Sequence, residues 1–158
     1  MCLMLYIGTP TELELTSSAD LRIEVVAEPR DRVKQWFSHH AVRFLGAHTG
    51  CSCGFPSVIG ESPVHYYDGM PLQSDDRQAD LRSVRALIAL LGRAVNDTAF
   101  AELYPVADGD ESEPPKGLIE WPVDSLDPDK LFFNERFMHV VHSRKPAGLR
   151  DGQEAGRS

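Results

Sequence analysis

The longest amphipathic segment of the chain runs from about Asp76 to Val95, and it constrains the fold more than any other feature. Its apolar residues recur every three or four positions, which is the period of an α-helix with one buried face. They are Leu81, Val84, Leu87, Ile88, Leu91, Ala94 and Val95. Ser74 is a suitable N-cap for this helix, and aspartates near its start suit the positive end of the helix dipole. The sequence therefore predicts one long helix that must cover an apolar surface.

Most other apolar segments are short and typical of β-strands. Cys2 to Ile7 is a nearly continuous apolar run, which indicates a strand that is buried on both faces. Further strands are predicted at 21–28, 41–48, 99–107, 118–123 and 136–143. Pro122 indicates that the fifth strand lies at a sheet edge, because proline cannot donate a ladder hydrogen bond. A shorter helix is predicted after Pro29, which suits a first helical turn.

Together these elements predict an α+β fold in a single domain over residues 1–143. We expect a mainly antiparallel sheet of about five to six strands, with the long helix on one face and the short helix near one end. The predicted core comprises Leu5, Ile23, Val25, Phe37, Phe44, Leu87, Ile88, Leu91 and Val140. Residues 49–75 show no clear period and are expected to form a functional loop or to hide an element. Residues 144–158 have almost no apolar content, which predicts a disordered tail.

The overall charge and the cysteine count restrict the possible partners and the compartment. The net charge of −8 opposes binding to the phosphates of nucleic acid or to an anionic membrane surface. No apolar run approaches the roughly 20 residues that a membrane-spanning helix needs. Three cysteines, without a recognisable secretory signal, favour a reducing compartment. We therefore expect a cytoplasmic protein that binds neither nucleic acid nor membrane.

The segment GAHTGCSCGF, residues 46–55, carries the clearest candidate site. His48, Cys51 and Cys53 are zinc-ligand types. The fourth ligand is expected from Cys2, His39, His40 or His65, if the fold brings one of them near, and Cys2 is the predicted one. The spacing H-x2-C-x-C departs from the C-x2-C pairs of structural zinc sites. A metal site at these four residues is accordingly one of several hypotheses.

Two other interpretations of the same segment remain open. In the first, one cysteine is a reactive thiol of a redox or hydrolytic enzyme, activated by free backbone N–H groups beside Gly50 and Gly54 or by a histidine. Cys2 is a further candidate nucleophile if removal of Met1 exposes its α-amino group. In the second, the cysteines only fill a tight turn of a non-enzymatic interaction protein, since free cysteine is often buried for packing alone.

Three stretches of the chain are similar to those of a group of small bacterial proteins of uncharacterised function. They are MCLMLYIGT, FLGAHTGCSCGF and ELYPVADGDESEPP, and the resemblance covers about residues 1–142. It implies that Cys51, Cys53 and Gly54 belong to a shared turn. It implies no activity, cofactor or catalytic residue.

The acidic stretch DGDESE, residues 108–113, begins like a calcium loop. Glu113 and Ile119 stand where such a loop needs glycine and glutamate, so we interpret the stretch as a solvated turn. His139 and His142 lie at odd spacing in the last predicted strand. They are expected to face opposite sides of the sheet, so they are not a predicted pair.

Overall fold

The computed structural model describes residues 2–13, 17–59, 62–64, 75–95 and 99–143. These residues form one domain of the predicted α+β class. Along the described chain the elements are β1 (Leu3–Thr9), β2 (Arg22–Val25), β3 (Ala41–Gly46), β4 (Ser57–Ile59), β5 (Ser62–Val64), α1 (Asp75–Ala94), β6 (Phe100–Ala107), β7 (Gly117–Pro122), β8 (Phe133–Asn134) and β9 (Phe137–His142). Short 3₁₀ helices in the same residues span Arg30–Trp36, Ser52–Gly54 and Val123–Ser125. No helix of this described part is long and apolar enough to cross a membrane.

Six strands form the main sheet in the order β2-β3-β1-β6-β9-β7. Neighbouring strands run antiparallel except β7 and β9, which run parallel. β1 lies inside the sheet between β3 and β6, and all seven of its residues are buried. β7 lies at the edge and ends at Pro122, where the missing N–H is tolerated. The predictions of a fully buried first strand and of a proline-bearing edge strand are confirmed.

The long helix α1 covers one face of the sheet, as the periodicity predicts. Its residues Val84, Leu87 and Leu91 are fully buried in one apolar cluster with Leu5 and Leu103 of the sheet. Their spacing of three and four positions places them on one stripe of the helix. Each buried leucine in such a cluster contributes roughly 2 kcal/mol of transfer free energy, so packing against the sheet stabilises the helix.

The opposite face of the sheet is covered by the 3₁₀ helix Arg30–Trp36. Its residue Val33 is fully buried in a second apolar cluster with Tyr6 and Tyr104, and Trp36 packs against the same cluster. The short helix therefore lies over the face of the sheet opposite to α1. Successive residues of a strand point to opposite sides of the sheet. Alternate residues of β1 therefore pack into the two different clusters, and both faces of the sheet are apolar there.

The predicted core is largely correct. Leu5, Ile23, Phe44, Leu87 and Leu91 are buried, and Phe37, Ile88 and Val140 are partly buried against one of the two clusters. Val25 is 59% exposed, so its assignment to the core is wrong. It is the last residue of β2, one of the two edge strands of the main sheet.

The segment 49–75, which has no clear period, contains elements too short for a periodic signal. The 3₁₀ helix Ser52–Gly54 is followed by β4 and β5, which join β8 in a small second sheet ordered β5-β4-β8. β4 pairs antiparallel with β5 and parallel with β8. The predicted disordered tail, residues 144–158, lies outside the described residues.

Candidate functional site

The turn after β3 carries Cys51 and Cys53. The N–H of Gly50 donates to the carbonyl of Ala47 at 2.9 Å, and the N–H of Ala47 donates to the carbonyl of Cys51 at 2.8 Å. Gly50 has a φ of 89°, a left-handed conformation that favours glycine. These two bonds close a tight turn that leads directly into the 3₁₀ helix Ser52–Gly54.

Ser52 lies between the two cysteines and anchors the turn to the main sheet. Its side chain is fully buried. The hydroxyl accepts a hydrogen bond from the N–H of Leu5 at 2.8 Å and donates one to the carbonyl of Leu45 at 2.6 Å. Leu5 and Leu45 face each other across β1 and β3, so one hydroxyl ties the turn to both strands. The backbone segment that carries both cysteines is therefore anchored to the sheet at its central residue, Ser52.

The thiols of Cys51 and Cys53 are in hydrogen-bonding contact with each other. The hydroxyl of Thr49 lies 3.4 Å from the Sγ of Cys51, and the N–H of Leu3 donates to the Sγ of Cys53. Leu3 begins β1, so the thiol pair lies beside the start of that strand. All three cysteines are free; Cys51 and Cys53 are half-buried, and Cys2 is exposed.

The two contacting thiols differ in how readily they ionise. Burial opposes ionisation of Cys51, but hydrogen bonds from the Thr49 hydroxyl and from the backbone N–H and thiol of Cys53 lower its pKa below the ordinary value. Burial, the hydrogen bond to Cys51 and the charges of Cys51 and Cys2 together raise the pKa of Cys53 to about 11, against a lowering effect of the backbone of Leu3. The last proton of the pair therefore stays on Cys53, and Cys51 is the thiol that ionises first.

His48 is held by the long helix. Its Nε2 lies 2.7 Å from the Oδ1 of Asp80, whose side chain is fully buried in α1. The backbone N–H of His48 donates to the Oγ of Ser83 in the same helix, at 2.9 Å. A buried carboxylate in this position orients the imidazole ring. The contacts with Asp80 and Ser83 join the turn to the helix, as Ser52 joins it to the sheet.

Gly54 ends the 3₁₀ helix of the turn and approaches its neighbours closely. A Cβ at this position would lie 2.6 Å from the Cβ of Ala47 and 3.1 Å from the Oδ1 of Asp80. Because both neighbours are buried, we expect Gly54→Ala to lower the free energy of unfolding by about 1–3 kcal/mol, measured by denaturant titration. Gly92→Ala is the control, since its Cβ would meet open space on α1, and it should stabilise the protein by up to about 1 kcal/mol. A Gly54→Ala variant as stable as the wild type would contradict this close packing.

The structure brings together part of the predicted zinc-ligand set. Cys51 and Cys53 are in contact, and Cys2 acts on Cys53 through its charge. The Nε2 of His48 is bound by Asp80. Across the described ranges, no three or more His, Cys, Asp or Glu side chains form a group that fits a metal ion. Zinc binding at the four residues therefore stays a prediction, without geometric support.

Sequence reasoning missed the buried carboxylate Glu111. Only 4% of the residue is exposed, and its carboxylate accepts hydrogen bonds from the hydroxyl of Tyr6 and the N–H of Gly109, each at 2.9 Å. The interpretation of residues 108–113 as a solvated turn is wrong for this one residue, although its five neighbours in the stretch are exposed. No local pattern marks Glu111, because Tyr6 lies in a strand far away in the sequence.

His139 is a second buried polar residue whose surroundings no pattern indicates. Its ring centroid lies 4.6 Å from that of Trp121 and 5.4 Å from that of Phe133. Its Nε2 accepts the backbone N–H of Asn134 at 3.2 Å. Burial lowers the pKa of His139 to about 4, which the backbone carbonyls of Phe137 and Leu103 only partly oppose. The imidazole is therefore neutral near pH 7 and acts as an acceptor in an aromatic cluster.

Comparison with models of protein families, with curated proteins and with solved structures finds no significant match to this chain. The resemblance to small bacterial proteins stays a prediction. The contact between Cys51 and Cys53 is the feature with the most chemical content.

Proposed function

We propose that this protein exchanges thiols for disulfides, with Cys51 as the attacking thiol and Cys53 as the resolving thiol. The observation that carries the proposal is the contact between the two sulfurs, in which hydrogen bonds lower the pKa of one and raise the pKa of the other. The thiolate is the nucleophile in disulfide exchange, so the thiol that ionises first attacks first. The substrate class is a disulfide on a peptide or a small molecule.

The first step uses Cys51 as a thiolate. Its sulfur attacks one sulfur of the substrate disulfide, a bond forms between Cys51 and that sulfur, and the other substrate sulfur leaves as a thiolate. Cys51 is half-buried, so part of its surface is open to a substrate. The hydroxyl of Thr49, 3.4 Å away, stabilises the attacking thiolate before the bond forms.

The second step uses Cys53, and the first step prepares it. Two of the causes that raise the pKa of Cys53 are its hydrogen bond to Cys51 and the negative charge of Cys51. Both disappear when Cys51 enters the mixed disulfide, while the N–H of Leu3 still stabilises a Cys53 thiolate. The Cys53 thiolate then attacks the sulfur of Cys51, the second substrate thiol leaves, and a Cys51–Cys53 disulfide remains. The substrate disulfide gains two electrons and the cysteine pair loses two.

The geometry supports hydrolysis by a Cys–His pair less well. A hydrolytic thiol needs a base within hydrogen-bonding reach, but the Nε2 of His48 lies 2.7 Å from Asp80. A purely architectural role of the turn is the second candidate function, and the buried hydrogen bonds of Ser52 favour it. Under that role, replacement of either cysteine by serine would change stability alone.

Alkylation rates at neutral pH test the proposal. We expect iodoacetamide to modify Cys51 before Cys53 at pH 7, because the pKa of Cys51 is lowered and that of Cys53 is raised to about 11. Thr49→Val removes the hydroxyl beside the sulfur of Cys51 and should slow this modification roughly three- to tenfold, since a hydrogen bond to a charged group is worth about one pK unit. The measurement is peptide mass spectrometry after timed quenching, repeated from pH 6 to pH 10.

Thr11→Val is the matched control for Thr49→Val, because Thr11 is also exposed and lies elsewhere on the surface. It should leave the rate at Cys51 unchanged. In the Cys53→Ser variant, oxidised glutathione should leave a stable mixed disulfide on Cys51. Slow and equal alkylation of all three cysteines would overturn the proposal and leave the architectural role.

A further inference from the structure

The strand β7 leaves one edge of the main sheet open. Within the described residues it pairs with β9 on one side and with no strand on the other. An edge strand carries backbone N–H and C=O groups that point away from the sheet and can pair with a further strand. Trp121 packs against the apolar cluster that α1 covers, and side chains alternate along a strand, so Leu118 and Glu120 point to the other face. Both residues are exposed, and Leu118 is 60% accessible to solvent.

Lys116, the residue before β7, continues this alternation. Its N–H donates to the carbonyl of Arg136 at 2.6 Å, which keeps it beside the residue that precedes β9. Lys116, Leu118 and Glu120 are all exposed, so the edge presents a cation, an apolar side chain and an anion at equal spacing. Neither Lys116 nor Glu120 forms an ion pair within the described part of the chain. Read in opposite directions, this row of side chains is complementary to itself.

We propose that β7 is the interface of a homodimer, in which it pairs antiparallel with β7 of a second copy about a two-fold axis at Leu118. Lys116 of each copy then lies opposite Glu120 of the other, and the two Leu118 side chains meet at the axis. The pairing joins two six-stranded sheets into one continuous sheet. Because the same surface is used by both copies, the assembly closes at two. This inference is independent of the proposed exchange of thiols for disulfides.

The charges select this register over its neighbours. Opposite charges that face each other across an antiparallel pair stabilise it, and like charges destabilise it. An axis at Ile119 would place Leu118 opposite Glu120. Lys116 would then face Pro122, which carries no charge. An axis at Glu120 would bring the two Glu120 carboxylates face to face. Only the axis at Leu118 forms two pairs of opposite charge.

Sedimentation velocity of the full chain in the presence of a reducing agent tests the dimer, since intermolecular disulfides are then excluded. An interface of one strand from each copy is small, so we expect a reversible dimer whose population rises with protein concentration. Lys116→Glu and Glu120→Lys each place like charges opposite one another twice. Either variant should raise the dissociation constant of the dimer roughly tenfold or more. An equimolar mixture of the two variants should restore the dimer, because each then faces side chains of opposite charge.

Glu24→Lys is the matched control, because it makes the same change of charge as Glu120→Lys at an exposed position of β2, the other edge of the sheet. It should leave the dissociation constant unchanged. A wild-type protein that stays monomeric at submillimolar concentration would overturn the proposal. So would a dimer that neither Lys116→Glu nor Glu120→Lys weakens, because its interface would lie elsewhere. A mixture of these two variants that stays monomeric would overturn the antiparallel register.

Discussion

Acidification from pH 7 to pH 4 should lower the free energy of unfolding by about 3 kcal/mol through His139 alone. The folded protein holds the pKa of this histidine near 4, whereas the ordinary value is 6.5. The cause is burial of the ring between Trp121 and Phe133, which disfavours the charged form. Between pH 6.5 and pH 4 the unfolded chain binds the proton and the folded chain does not. The stabilisation is therefore complete above pH 6.5 and is lost as the pH falls to about 4.

Carboxylates also titrate in part of the range from pH 6.5 to pH 4. A comparison of variants is therefore needed to isolate the contribution of His139 to the loss of stability. Replacement His139→Phe keeps an aromatic ring beside Trp121 and removes the titrating group. It should cost about 1 kcal/mol at pH 7, since the N–H of Asn134 loses its acceptor, and should flatten the stability profile between pH 6.5 and pH 4. His40→Gln is the matched control, because His40 is exposed and its replacement should leave the profile unchanged. Parallel profiles for wild type and His139→Phe, measured by urea unfolding, would show that the buried histidine does not titrate as expected.

Replacement Ser52→Ala should lower the free energy of unfolding by about 2–4 kcal/mol. The variant leaves the N–H of Leu5 and the carbonyl of Leu45 without the hydroxyl that joins them, in a place where that side chain has no exposed surface. Each buried polar group without a partner costs roughly 1–3 kcal/mol. Guanidinium unfolding followed by circular dichroism measures the loss.

Ser125→Ala provides the matched control for Ser52→Ala. The hydroxyl of Ser125 also donates to a backbone carbonyl, that of Pro122 at 2.7 Å, but the residue is exposed and water can replace it. Its replacement should change stability by less than about 0.5 kcal/mol. If both serine variants lose the same small amount, the hydroxyl of Ser52 does not hold the turn to the sheet.

The order of the main elements could be predicted from the sequence because their signals are local. The stripe around Leu87 predicts a helix, and the apolar run from Cys2 to Ile7 predicts a buried strand, since both depend on periods within a few residues. Val25 shows the limit of this reasoning. Its alternation with Ile23 is real, but its exposure depends on the position of β2 at the edge of the sheet.

The candidate site could be predicted in part. The segment with Cys51 and Cys53 was recognisable from residue types alone, and the possible participation of Cys2 was an open question that depended on the fold. The local sequence shows a serine between two cysteines but cannot indicate that its hydroxyl bridges two strands. For His48 the residue type suggested a metal ligand. In the structure its imidazole is bound instead to Asp80, in a helix that is distant in the sequence.

Local sequence patterns are enough to establish the α+β class, the long helix, the buried strand β1 and the location of the cysteine turn. These features follow from backbone periodicity, glycine and proline, which act over a few neighbouring residues. The order in which Cys51 and Cys53 ionise, and the burial of His139 and Glu111, become visible in the folded structure alone. The physical reason is that ionisation and hydrogen bonding depend on distance in space and on burial. Both are set by the pairing of strands from opposite ends of the chain.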